Sequence, residues 1–147
     1  MTKPPSLDFL IDHLRLSPHP EGGYYRETWR SDLQLPAEAL PAHCGSRSAG
    51  TAIYYLLPHD QQSALHRVCS DELWLFQLGD PLELRIQGHR DEDARTLTLG
   101  CRPEDDLQRL VPANHWQSAR SLGGPAGYTL VACIVVPGFD FADFEMA

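Results

Sequence analysis

From Tyr24 onward the chain is cut into short stretches of strand length, separated by glycine and proline turns. Alternate residues of a strand share a face, whereas a helix repeats every third or fourth residue. Leu82, Leu84 and Ile86 alternate with Glu83 and Arg85, the mark of a half-exposed strand. Thr51 to Leu57 and Tyr128 to Val136 are apolar runs that predict buried strands, and Thr96 to Leu99 and Gln108 to Val111 add two more. Between the strands lie turns at Pro58-His59-Asp60, Asp80-Pro81, Gly88 to Ala94, Gly100 to Asp106, Ala113-Asn114, Gly123 to Gly127 and Pro137-Gly138. Many short strands at regular spacing predict an all-β sandwich or barrel. A single stretch has helical period: Ser6 can cap a helix to Leu16, with Leu7, Leu10, Ile11 and Leu14 as its apolar stripe and Pro18 as its stop.

The segment Ser63 to Gly79, SALHRVCSDELWLFQLG, carries the chemistry. It reads as two strands joined at Cys69-Ser70-Asp71. Ala64, His66 and Val68 share one face, and Glu72, Trp74, Phe76 and Leu78 share another. On inner faces of a barrel, His66 and Glu72 would meet in an apolar pocket, where an imidazole and a carboxylate need partners. His115, Gln117 and Ala119 form a comparable strand face. Tyr24 to Arg30 has no clearly apolar side; Tyr24, Arg26, Thr28 and Arg30 lie opposite Tyr25, Glu27 and Trp29. Such a strand lines a polar cavity, meets another subunit, or forms an exposed edge. Asp32 to Gly50 is long and loop-like, with a short helix at Ala37 to Leu40, and is a candidate lid or dimer arm. Phe139, Phe141 and Phe144 plug one barrel end.

The chain has 147 residues, enough for one domain with a real core, and a formal net charge of -8. With no basic run, nucleic acid and anionic membrane surfaces are excluded as partners. No apolar run is long enough to span a bilayer, and no secretory leader is visible. Cys44, Cys69, Cys101 and Cys133 lack metal-site spacing and read as reduced residues of a cytoplasmic protein.

His66, Val68, Glu72 and Gly79 stand at the H, H, E and final G of the first cupin motif, and Pro112, Asn114 and Gln117 at the P, G and H of the second. Two usual metal histidines are thus Val68 and Gln117, and the leading glycine of the first motif is missing. PEGGYYRETWR, AIYYLL, SALHR, SDELW, VPANHWQ and PGFDFADFE resemble the fifth cupin subfamily, single-domain proteins grouped as a domain of unknown function. The resemblance runs from about His19 to Glu145. It implies a double-stranded β-helix, the jelly-roll barrel of cupins, across one domain of residues 1–147, and a homodimer. That subfamily typically has histidine where Gln77 stands and often glycine where Asn114 stands.

Three functions remain open. The first is a metal-independent isomerase, epimerase or lyase acting on a small polar, carbohydrate-like molecule. There His66 is the base, Glu72 orients it, and Tyr54 or Tyr24 is the opposing acid. Arg26 would anchor an anionic group, and Trp74, Gln77, His115 and Gln117 complete the substrate-binding set. The second is a metal-dependent cupin enzyme such as an oxygenase, with Fe, Mn, Ni or Zn held weakly by His66, Glu72 and Gln117. The third is a non-catalytic ligand-binding or storage barrel, in which His66 and Glu72 are merely a satisfied polar pair.

Overall fold

The computed structural model describes residues 3–88 and 94–147; most of the turn expected at Gly88 to Ala94 lies outside them. Helix α1 spans Leu7–His13, and the Ser6 hydroxyl accepts from the Phe9 amide at 3.1 Å. It ends short of Leu16 because Arg15 takes a left-handed φ of 56° and reverses the chain. Among the described residues thirteen strands follow. They are β1 Ser17–Pro18, β2 Tyr24–Arg30, β3 Gln34–Leu35, β4 Arg47–Ser48, β5 Thr51–Pro58, β6 Gln62–Arg67 and β7 Asp71–Gly79, then β8 Leu82–Gln87, β9 Arg95–Leu99, β10 Gln108–Val111, β11 Trp116–Ser121, β12 Tyr128–Val136 and β13 Glu145–Met146.

Two antiparallel sheets face each other, ordered β1-β2-β5-β12-β7-β10 and β13-β6-β11-β8-β9, so the fold is the expected all-β jelly-roll barrel with one N-terminal helix. Tyr55, Leu57, Trp74, Leu82, Leu84, Ile86, Leu99 and Val131 fill the space between them. A second apolar layer lies outside the first sheet, where Leu10 and Leu16 cover Leu56, Tyr128 and Leu130. Strands β5 and β12 are therefore covered on both faces, which explains their unbroken apolar sequences.

The long segment between β2 and β5 is neither free loop nor α-helix. β3 and β4 pair within it, and Ala37–Ala39 forms a single 3-10 turn. It holds down the C-terminal segment: the buried Arg47 guanidinium donates to both Asp143 carboxylate oxygens at 2.9 and 2.7 Å. Beyond it β13 pairs with β6, and Arg67 meets Glu145 at 2.9 Å. Phe139, Phe141 and Phe144, mutually packed with centroids 4.9 to 6.3 Å apart, close one end of the barrel between these anchors.

Candidate functional site

The site begins with a turn. His19 and Gly23 close it (amide to carbonyl, 2.9 Å), and Gly22 donates to the His19 carbonyl at 3.0 Å. Gly22 and Gly23 have φ of 109° and 74°, angles that residues with a Cβ rarely adopt. The turn is then fastened to neighbouring strands: Ala64 donates to the Glu21 carbonyl at 2.8 Å, and the Tyr55 hydroxyl to the Gly22 carbonyl at 2.6 Å. These bonds drive the Glu21 side chain into the barrel, where it is 8 % exposed. A Cβ at Gly22 would collide with the Gln62 carbonyl oxygen. Gly22→Ala should therefore cost about 1–3 kcal/mol and displace Glu21, read as a fall in melting temperature; an unchanged value would mean the turn is not pinned as described.

Inside, His66 is 3 % exposed and both its nitrogens are engaged. Nδ1–H donates to the Ala64 carbonyl at 2.7 Å, and Nε2 meets Glu21 Oε2 at 2.8 Å. The Phe144 ring stacks on the imidazole, centroids 5.3 Å apart. Burial opposes the imidazolium, but the hydrogen bond and charge of Glu21, with Glu72 and the Ala64 carbonyl behind them, hold its pKa above the ordinary 6.5. His19 goes the other way: burial lowers it, against Glu21 and with His66. Its Nδ1 accepts from the Glu21 amide at 3.1 Å, which leaves the ring proton on Nε2.

Across the cavity Glu72 is 8 % exposed. Its Oε1 accepts from Gln117 Nε2 at 2.8 Å, and Gln117 Oε1 accepts from Trp74 Nε1–H at 2.8 Å. An indole nitrogen can only donate, so it fixes which end of the fully buried Gln117 amide faces Glu72. Burial pushes the Glu72 carboxyl up; the His66 charge opposes this and the Glu21 charge adds to it. Burial and the neighbouring Glu72 also raise the Cys133 thiol well above its usual range, so it stays a thiol. His19, Glu21, Tyr55, His66, Glu72 and Cys133 are among the walls of a cavity of ≈ 40 Å³.

His66 and Glu72 thus share a cavity, but the imidazole is bonded to Glu21, not Glu72. Gln117 pairs with His66 across β11 and β6 and stands behind Glu72 without lining the cavity. Trp74 is likewise a buttress, packed edge-on against Tyr55. The other expected site residues are elsewhere. Tyr24 and Tyr54 lie in the layer beneath α1, on the outside of the sheet. Arg26 is paired with Tyr54 there and donates to the Leu14 carbonyl at 2.7 Å, so it anchors the helix end and is no anion anchor within the barrel. The pairing Tyr25 to Tyr55 faces inward in their place. Gln77 is exposed beside a groove at the N-terminal segment. His115 precedes β11, in the turn where Asn114 takes φ 65°, and bonds the Ala113 carbonyl. Strand parity does not reach it.

The donor set does not suit a metal. Both His66 nitrogens are committed, and Gln117 presents its amide nitrogen, not its oxygen, to Glu72. Among the described residues, no three His, Cys, Asp or Glu side chains stand together as ligands. Nor is any described helix long and apolar enough to cross a membrane.

A jelly-roll barrel enclosing a small cluster of ionisable groups at one plugged end defines a cupin fold. The family model described as Cupin superfamily (DUF985) matches residues 8–147, and the chain belongs to that family. It is similar to the uncharacterized protein YML079W of Saccharomyces cerevisiae, 31 % identical across 97 % of this chain and 76 % of the yeast protein. A hypothetical protein from Leishmania major superposes with a TM-score of 0.86 at 39 % identity, covering 97 % of this chain and 88 % of that one. Oxalate decarboxylase from Bacillus subtilis, 13 % identical with a TM-score of 0.60, covers 88 % of this chain and 29 % of its own; this likeness shows the fold alone.

Proposed function

We propose that this cupin binds a small polar molecule in the plugged end of the barrel and moves a proton on it without a metal, as an isomerase, epimerase or lyase does. The observation that carries this reading is Glu72. Its carboxyl is buried, held by one oxygen through Gln117, turned to the cavity and raised in pKa. A carboxyl so poised holds its proton to higher pH than a solvated one and can exchange it with a ligand. His66, bonded at both nitrogens, has no free N–H for the ligand and holds the Glu21 side chain in place beside the cavity. The Tyr55 phenol lines the cavity where Tyr54 was expected, but burial and Glu21 keep it protonated and its hydroxyl is spent on the Gly22 carbonyl, so it is a wall of the site and not its acid.

The test is deuterium uptake from D₂O into the molecule that co-purifies with the protein, followed by mass spectrometry with and without chelator. Uptake that survives the chelator supports the reading. Binding without uptake would leave a ligand-binding barrel, and uptake restored only by added metal would favour the oxygenase-type alternative.

The protein is also proposed to work as a homodimer in the cytoplasm, where Cys44, Cys69, Cys101 and Cys133, all free thiols, stay reduced. The exposed Trp29 and Val136, side by side over Gly50, offer apolar surface for a second copy. Sedimentation at micromolar concentration should show twice the chain mass; a monomer would overturn this.

A further inference from the structure

The cavity that holds Glu72 has an outer neighbour. A groove of ≈ 310 Å³ is lined by Tyr25, Ile53, Phe139 and Phe141, with Glu27, Arg30 and Asp140 at its rim. Tyr25, Thr51, Ile53 and Phe139 are walls of both spaces. The inner space, at ≈ 40 Å³, accommodates roughly three waters. It can take one small polar head, while the outer groove can take an apolar tail.

Charge decides which head. Among the described lining residues the basic side chains are His19, His66 and Arg30; burial disfavours the charged form of His19, and the other two are spent. His66 is held by Glu21 and the Ala64 carbonyl. Arg30 is held by Glu27 at 2.8 Å and by the Phe139 carbonyl at 3.0 Å. The carboxylates outnumber them: Glu21 and Glu72 within, Glu27 and Asp140 at the rim. Glu72 Oε1 is taken by Gln117; the further donor to this carboxylate among the described residues is the weak S–H of Cys133. An anionic head would enter beside carboxylates with no free cation to receive it. A positive head would find a carboxylate whose donors besides Gln117 are weak, and the faces of aromatic walls, both of which attract cations.

Resting on the reading that this cavity is the ligand site, we propose that its ligand is a small primary amine. The ammonium group sits against Glu72 in the inner chamber, and the apolar tail runs outward along Tyr25, Ile53, Phe139 and Phe141.

An isosteric series tests it. n-Butylammonium, n-butanol and butyrate are titrated into the full chain, with affinity from calorimetry and location from NMR shifts of the Tyr25, Phe139 and Phe144 rings. n-Butylammonium should bind at least about tenfold more tightly than n-butanol, and butyrate should leave the rings unmoved. In Glu72→Gln the preference for the ammonium over the alcohol should fall to within about threefold. Equal or tighter binding of butanol or butyrate at those rings would overturn the amine assignment while leaving the cavity as a ligand site. A tenfold preference that persists in Glu72→Gln would overturn the role given to Glu72. Ring shifts from none of the three would overturn the amine assignment and the cavity reading together.

Discussion

Glu72→Gln is expected to lower turnover of the cavity ligand by about 10²–10⁴-fold, the usual contribution of a general acid or base, without loss of fold. The replacement keeps the shape, and its amide oxygen can still accept from Gln117 Nε2. What it removes is an exchangeable proton. Stability should move the other way. The folded pKa of Glu72 is raised above its ordinary 4.5, so between those values the native state binds the extra proton and stability falls as pH rises. Glutamine has no such cost, so the variant should melt no lower than wild type above neutral pH. An inactive variant that also melts lower would mean that Glu72 supports the fold instead of the chemistry. A fully active variant would remove Glu72 from the mechanism.

Glu21→Ala should destabilise the barrel by about 3–5 kcal/mol, the cost of stranding one member of a buried ion pair. His66 Nε2 would lose its carboxylate partner while the ring stays buried. The pH profile separates this from simple loss of packing. In the wild type the folded pKa of His66 is raised, so its stabilisation is complete below 6.5 and is lost as pH climbs through the folded value. His19 is lowered, so it costs stability as pH falls below 6.5 toward its folded value. Together these two histidines favour greatest stability near 6.5. Without Glu21, burial dominates at His66 and lowers its pKa, so the loss above 6.5 should vanish. Melting temperatures of wild type and Glu21→Gln across this range would show it. Parallel profiles would mean that Glu21 does not set the charge of His66.

Much of this barrel was legible in period-2 patterning, because a half-exposed strand such as β8 separates Leu82, Leu84 and Ile86 from Glu83 and Arg85 by solvent. The same rule failed where solvent is absent from both faces. In β5, Tyr54 packs beneath α1 and Tyr55 toward the cavity, and both surroundings are apolar, so nothing in AIYYLL tells one tyrosine from the other. β2 inherited the error, since Arg26 pairs with Tyr54 and Tyr25 with Tyr55. His66 and Glu72 were found because ionisable groups interrupt an apolar stretch. Glu21 was missed because a glutamate in a proline–glycine turn looks like ordinary surface; only the bonds from Ala64 and Tyr55 reveal that the turn folds inward. The adjacent glycines, with their positive φ, were the one available signal. Gln117 and Trp74 were placed by register, yet their roles follow from hydrogen-bond direction, which strand parity does not encode.

The central claim is a division of labour: Glu21 and Ala64 favour the charged form of His66 against burial, and Glu72 keeps the mobile proton. Side-chain NMR tests it without knowledge of the ligand, by following the His66 ring nitrogens and the Glu72 carboxyl carbon as pH is varied. Both His66 nitrogens should carry protons at pH 6.5 and above, until the ring titrates, and Glu72 should titrate above 4.5. A neutral His66 with a bare Nε2 at pH 6.5, together with Glu72 titrating at or below 4.5, would contradict the account and return the proton-transfer role to the imidazole.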